Sequence, residues 1–319
     1  MKPVATVIVP SQGPVERLRR LLDSLREQTV GHETLVVDNA SPSGEVSELC
    51  DAYEFATALP LDRNAGFSAP VNLAAARAST EALVLVNDDC VCDPPFVERL
   101  VGVLDPDAGI VMAAGVMRDA RSPELIDSAG MELDPTLLVY DYMNAEPLSA
   151  LDGGPPDPIG PSAKAAAFDR SSYLAVGGFD ERLFAYWEDV DLVLRLLRAG
   201  GRCRLAADAR GVHEHSATLG SGSAAKNYLM GYGRGYLLRK WGVLEPRRLG
   251  PVAARELAIL AGQATMDRNL AGLRGRVQGW RAATPEEAFP AEAAASGGGA
   301  PFLRNLARRL KRRRGLARR

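Results

Sequence analysis

A chain of 319 residues with 46% apolar and 24% charged residues has the size and balance of one large α/β domain carrying additions, or of two domains. This excludes collagen-like, coiled-coil, wholly disordered and disulfide-scaffold proteins, and no apolar run approaches the length that spans a bilayer. The net charge of −2 hides an asymmetry: Phe302 to Arg319 holds nine bases and no acid, which leaves 29 bases against 40 acids, a net of −11, on the rest.

In chain order, Val4 to Val9 predicts a strand that stops at Pro10, and Val15 to Gln28 an amphipathic helix with Leu18, Leu21, Leu22 and Leu25 on one face. Thr34 to Val37 predicts a strand ending at Asp38-Asn39, and Glu45 to Ala52 a helix after the turn Ser41-Pro42-Ser43-Gly44. Val71 to Ala78 is helical in composition, and Ala82 to Val86 is an apolar strand running into Asn87-Asp88-Asp89. This alternation predicts parallel βαβ units. From about Gly109 to Gly160 the chain is rich in Pro, Gly and Asp and predicts irregular sheet and loops. Gly177-Gly178 reads as a turn, Glu188 to Ala199 as a helix stopped by Gly200-Gly201, and Val252 to Trp280 as helical with glycine interruptions. Cys50, Cys90, Cys92 and Cys203 are few and irregularly spaced, and no apolar leader follows Met1-Lys2, so a reducing, cytoplasmic setting is expected.

Three of these strands end in polar groups, at Ser11, Asp38 and Asn87 to Asp89, and in open α/β sheets ligands bind beyond the carboxyl ends of the strands. Two carboxylates at the exit of a buried strand repel unless a divalent cation offsets them, and hard oxygen ligands suit Mg²⁺ or Mn²⁺ with substrate phosphates; alone, Asn-Asp-Asp also reads as a capped turn. Asp38 is placed to accept hydrogen bonds from a base or ribose, although as a single residue it is equally a turn former. Arg63-Asn64-Ala65-Gly66-Phe67 and Asn72 add a cation, amides and a flexible glycine near a diphosphate. Glu188, Asp189 and Asp191 open a helix, where acids favour the dipole, but Phe184, Tyr186 and Trp187 place an aromatic wall beside them that suits a sugar ring and raises a carboxylate toward general-base work. His213-Glu214-His215 lacks the helical spacing of zinc proteases; in an extended segment its histidines point the same way, and one of them joins a carboxylate-held metal.

Together and in this order these stretches resemble the family 2 glycosyltransferases of GT-A fold, and most of all their bacterial rhamnosyl- and galactofuranosyltransferase-like branch. The resemblance runs over about residues 4 to 240, through Val7-Ile8-Val9-Pro10, Val36 to Ser41, Arg63 to Phe67 with Asn72, Leu85 to Asp89, Gly177 to Glu181, Trp187 to Leu192 and His213 to His215. It implies an α/β fold with a mostly parallel, Rossmann-like central sheet flanked by helices and followed by a C-terminal helical extension. The expected organisation is a catalytic domain over 1–240, helices over 241–289, a flexible linker over 290–301 and a basic amphipathic tail over 302–319. By the same resemblance Asp38 contacts base or ribose with Pro10 and Ser11 lining that pocket, and Arg63, Asn64, Gly66 and Asn72 sit near the nucleotide. Asp89 binds Mn²⁺ or Mg²⁺ with Asp88 assisting and His213 completing the shell; Asp189 is the catalytic base, while Glu188 and Trp187 position the acceptor. Asn87 stands where the three-residue acidic motif often has its first acid. The implied reaction is a single inverting displacement from a nucleotide-diphosphate sugar, dTDP-rhamnose-like or a UDP-sugar, to a hydroxyl of a glycan, a lipid-linked acceptor or a small molecule.

In the tail Phe302, Leu303, Leu306, Ala307 and Leu310 share a helical face among arginines, a pattern that reads as binding to an anionic membrane surface, here the inner face of the plasma membrane, or as a solvated terminus. No base-stacking module accompanies the charge, so no nucleic-acid partner is expected. Two alternatives stay open at this level. A sugar nucleotidyltransferase needs a glycine-rich, cationic loop for which Pro10-Ser11-Gln12-Gly13-Pro14 is a poor substitute, and a catalytically inactive scaffold is at odds with retention of Asp38, Asp89, Asp189 and His213.

Overall fold

The structure, a computed structural model, describes residues 2–214, 222–285 and 288–290. The expected tail, nearly all of the expected linker, and His215 lie outside the described residues. The elements are β1 (Ala5–Ser11), α1 (Val15–Arg26), β2 (His32–Asp38), α2 (Glu45–Cys50), β3 (Ala56–Pro60), α3 (Ser68–Arg77), β4 (Ala82–Leu85), β5 (Cys90–Cys92) and α4 (Phe96–Val101). They continue with β6 (Ile110–Asp119), β7 (Ser122–Ser128), β8 (Met131–Leu133), β9 (Val139–Asp141), β10 (Ala166–Asp169), α5 (Arg170–Ala175), α6 (Glu188–Arg198), β11 (Arg202–His213), α7 (Ala224–Lys240), α8 (Pro246–Gly262) and α9 (Ala271–Ala282).

The main sheet runs β3-β2-β1-β4-β10-β6-β11-β5, with β7 on β6. β3, β2, β1 and β4 are parallel, β10 is antiparallel to both β4 and β6, and β6 is parallel to β11. The register Ser11↔Asp38 sets the ends of β1 and β2 side by side, which places the first polar strand ends in one crevice. The leucine face of α1 is buried with Val46 of α2 and Phe96 of α4 on one side of the sheet; Val71 of α3, Val190 and Leu194 of α6 and Trp241 fill the other.

The stretch from Gly109 to Gly160 differs from the irregular region that its composition predicts. It contains β6, whose run Ile110 to Met117 lies within the sheet and is apolar throughout, because a strand covered on both faces has no reason to alternate. The helical stretch from Val252 to Trp280 resolves into α8, a π-helical turn at Gln263–Asp267 and α9, separated where Arg268 takes the left-handed conformation at φ 55°. α9 lies on α7 through glycines: a Cβ on Gly279 would overlap the Tyr232 carbonyl, and one on Gly231 the Gly272 carbonyl. Buried polar pairs fasten this layer to the sheet domain. Arg234 donates to the carbonyls of Leu137 (2.6 Å) and Thr136 (2.7 Å) and pairs with Glu256 (2.7 Å). Among the described residues no helix is long and apolar enough to cross a membrane.

Candidate active site

The crevice is built first by β1, β2 and the loop before α3. Ser11 Oγ donates to Asp88 Oδ2 at 2.6 Å, joining the end of β1 to the acidic segment after β4. The Asp38 carboxylate, 3% exposed, accepts from the Ser41 amide (2.8 Å) and from Ser47 Oγ (2.9 Å), so it closes its own turn while lying at the sheet edge. Asn39 ties down the loop carrying Arg63 to Gly66: its Nδ2 donates to Asn64 Oδ1 (3.1 Å) and the Gly66 carbonyl (2.7 Å), and its Oδ1 accepts from the Ala65 amide (2.8 Å). Arg63 is exposed and, with Leu61, Asp62 and Ala65, lines an open hollow of 510 Å³. Gly66 has φ +81°, and a Cβ there would collide with the Phe184 carbonyl that accepts from the Phe67 amide at 2.6 Å. The loop is thereby pressed onto the 179–184 turn.

Asn72 is the clamp of that turn. Its Oδ1 accepts from Tyr173 Oη (2.6 Å) and the Phe179 amide (2.8 Å), and its Nδ2 donates to the Phe179 carbonyl (2.9 Å) and Glu181 Oε1 (3.1 Å). All four hydrogen-bonding positions of the amide are engaged within the protein.

The second half of the site gathers acids and one imidazole. Pairing of β5 with β11 sets His213 opposite Cys90 and brings His213 Nε2 to 3.4 Å from Asp89 Oδ1. On its other side His213 Nδ1 donates to Asp127 Oδ2 at 3.0 Å, a buried carboxylate that fixes the ring and leaves Nε2 facing Asp89. Burial opposes charge on this imidazole, but its bonds to Asp127 and Asp89 outweigh it and raise the pKa to about 9. Asp88 is pushed up to about 6 by burial, against the Ser11 hydrogen bond and with the Asp89 charge. Lys164 Nζ extends the chain of contacts, donating to Asp127 Oδ2 (3.1 Å) and Asp141 Oδ1 (2.9 Å).

The pKa of Asp189 is raised by burial, with the Asp141 charge adding to the shift and Lys164 opposing it. Tyr186 and Trp187 precede Asp189 in the left-handed region at φ 70° and 77°, a conformation costly for bulky side chains and concentrated at functional sites. This backbone turns the Trp187 indole away from the crevice: its Nε1 donates to the Met230 carbonyl (2.9 Å), and the ring sits under the Arg234 guanidinium. Glu188 is 6% exposed and its Oε2 has no hydrogen-bond partner, whereas Asp189 is only partly buried. Burial raises the pKa of both carboxyls, and the Asp189 charge raises Glu188 further.

The structure therefore joins Ser11 to Asp88 and Asp89 to His213 directly, with Asp127 and Lys164 behind His213. Pro10 and Asp38 lie on the nucleotide side with Arg63, Asn64 and Gly66, while Asn72 and Trp187 are spent on packing the turn and α7. Sequence reasoning passed over Asn39, Asp127, Asp141 and Lys164. Asn39 has a signal, its place beside Asp38 at a strand end; Asp127 and Asp141 come from the weakly patterned stretch between Gly109 and Gly160, and Lys164 lies just beyond it.

A carboxylate and an imidazole held by an outer carboxylate are a donor set that fits a divalent cation of the Mn²⁺ or Mg²⁺ kind, which binds through one or two protein groups and completes its shell with substrate phosphate and water. Among the described residues no group of three or more His, Cys, Asp or Glu forms a cage of its own.

A mostly parallel sheet with an acidic, histidine-backed crevice at its carboxyl edge defines an α/β class with its site at the strand ends, and comparison with known proteins narrows it. Residues 6–138 match the model of Glycosyl transferase family 2. The chain is 29% identical over 233 residues to the O-antigen biosynthesis protein RfbC of Myxococcus xanthus, covering 68% of this chain and 18% of that protein. It is 26% identical over 260 residues to the N-acetylglucosaminyl-diphospho-decaprenol L-rhamnosyltransferase of Mycobacterium tuberculosis, covering 70% and 80%. The crystal structure of GalNAc-T7 with UDP, GalNAc and Mn²⁺ superposes with a TM-score of 0.63 at 15% identity, over 88% of this chain and 55% of that one. Over residues 6–138 the chain is thus similar to glycosyl transferase family 2, and its fold is GT-A-like.

Proposed function

We propose that this chain is a divalent-metal-dependent inverting glycosyltransferase, moving a sugar from a nucleotide-diphosphate donor to a hydroxyl of a glycan or lipid-linked acceptor. One observation carries the reading: Asp89 and His213, the latter fixed from behind by Asp127, face each other at 3.4 Å beyond the carboxyl ends of the strands. The relatives support it, one being named for rhamnosyl transfer to a diphospho-decaprenol-linked sugar and the fold neighbour holding UDP with Mn²⁺. A rhamnosyl-type donor is accordingly the first to test.

Asp89 and His213 would hold the metal, which supplies positive charge against the departing diphosphate. Asp38, Arg63 and the Asn39-pinned loop receive the nucleotide. The acceptor oxygen bonds to the anomeric carbon as the bond from that carbon to the diphosphate oxygen breaks on the opposite face, and the hydroxyl proton passes to the Asp189 carboxylate. Burial and the Asp141 charge raise the proton affinity of Asp189, which suits a general base. The displacement inverts the anomeric centre and needs no covalent nucleophile.

The test is calorimetry of dTDP-, UDP- and GDP-sugars with Mn²⁺ and with EDTA, on the natural chain and on Asp89→Ala, followed by the anomeric configuration of any product by NMR. One donor that binds only with metal, loses that dependence in Asp89→Ala and gives an inverted product is the expected result. Binding indifferent to metal, or retention of configuration, overturns the reading.

A further inference from the structure

We propose that the outer face of α9, with the turn that leads into it, is a docking surface for an anionic lipid bilayer. α9 has two unlike sides. Gly272, Gly275 and Gly279 press its backbone onto α7, while Leu273, Val277 and Trp280 recur at helical spacing on another side and are 44%, 43% and 37% exposed. Met266 and Leu270 prolong this stripe at 53% and 55% exposure, and Leu257 of α8 is 68% exposed beside Glu256, whose carboxylate is 2.5 Å from Arg276 of α9. Large apolar groups in such a row on a helix surface mark an interaction face rather than scattered exposure.

Charge selects the occupant. From residue 246 to 282 the only acids are Glu256 and Asp267, and both are engaged inside the layer, Glu256 with Arg234 (2.7 Å) and Asp267 with Asn227 (2.9 Å). The exposed charges are Arg247, Arg268, Arg274 and Arg281, all positive. An apolar stripe bordered on its helix by Arg274 and Arg281 matches an anionic headgroup layer over acyl chains and repels a second copy of itself. Arg239 also holds the Trp280 carbonyl at 2.8 Å, which keeps the exposed indole at one end of the stripe, where an amphipathic ring favours the headgroup level.

The chain carries its own reporter. It has three tryptophans, of which Trp187 is 6% exposed and Trp241 fully buried, so contact quenching from a bilayer reads Trp280. The experiment is flotation of the full chain with vesicles of phosphatidylcholine alone or with phosphatidylglycerol, together with fluorescence quenching by brominated phospholipid. Expected are binding to the anionic vesicles only, weakened by salt, quenching that Trp280→Phe abolishes, and at least a tenfold loss of vesicle affinity in Leu273→Glu/Val277→Glu. Those side chains are exposed, and an unchanged near-UV circular dichroism spectrum shows that the variant keeps its fold. Unchanged vesicle affinity in that variant, absence of quenching, or a dimer in sedimentation that the same substitutions dissociate each overturns the proposal. None of these readouts uses sugar transfer, so they stand apart from the enzymatic reading.

Discussion

Replacing Asn72 by Ala tests whether the nucleotide loop is held by the turn at 179–184 or by the nucleotide itself. The substitution deletes four hydrogen bonds, with Tyr173 Oη, the Phe179 amide, the Phe179 carbonyl and Glu181 as partners. Glu181 is exposed and returns to water at little cost. Tyr173 Oη already lies 3.3 Å from the Phe179 amide and can satisfy it, which leaves the buried Phe179 carbonyl orphaned. One orphaned buried group costs about 1–3 kcal/mol and the surplus of the remaining bonds about 1 kcal/mol more, so a loss of roughly 2–4 kcal/mol is expected. Urea denaturation of the full chain measures it, with the denaturant slope unchanged. Because Phe67 and Ser68 hang on the carbonyls of Phe184 and Leu183, nucleotide affinity should fall alongside stability. A stability loss below about 1 kcal/mol with affinity still reduced would refute the clamp and return Asn72 to direct contact with donor.

Asp189→Asn should lower turnover by about 10²–10⁴ while donor affinity by calorimetry stays within a few-fold; retained turnover removes Asp189 from the base role. Gly279→Ala should destabilise by about 1–3 kcal/mol in urea, since its Cβ meets the Tyr232 backbone and no side chain can move aside, and an unchanged midpoint would show that the helices slide freely. His32 is held neutral by burial, which lowers its pKa below 6.5 although its bond to the Leu25 carbonyl opposes the shift. Its contribution to stability is therefore complete above pH 6.5 and lost as pH falls through the folded value, so NMR should find its midpoint below 6.5 and His32→Gln should flatten the stability slope between about pH 7 and 5. His213, raised to about 9, works in the opposite window: its contribution is complete below pH 6.5 and lost as pH rises through about 9.

The nucleotide half of the crevice was legible because it is local. Ser11 and Asp38 each end a strand, and Asp88 follows one, that announces itself by an apolar run of three to five residues, and parallel pairing makes neighbours of such ends. The network behind His213 was not, for two physical reasons. Asp127 meets His213 across 86 residues and Lys164 across 37, distances at which no periodicity correlates side chains. The strand that organises this region, β6, is covered on both faces, and its apolar run carries no alternation to read. Trp187 shows a third limit: its neighbours in sequence suggest an aromatic wall on the crevice, but the left-handed backbone at Tyr186 and Trp187 decides which way the indole points.

The acids at the head of α6 show how the same residue type, two positions apart, takes opposite work. Asp191 is fully buried and answered on every side, by Arg195 at 2.8 Å, Lys240 at 2.9 Å and the Trp241 indole at 3.1 Å. A carboxylate so paired fastens α6 to α7, and removing a partner would strand a buried charge. Glu188 is just as closely buried but has an oxygen with no partner, and Asp189 opens toward the crevice. Two helix positions rotate a side chain by about 200°, so α6 turns Asp191 into the core while keeping Asp189 at the sheet edge. The interior acid supplies the rigidity, whereas burial and the Asp141 charge raise the pKa of Asp189, and it is this condition, not the presence of an acid, that the proposed general base needs.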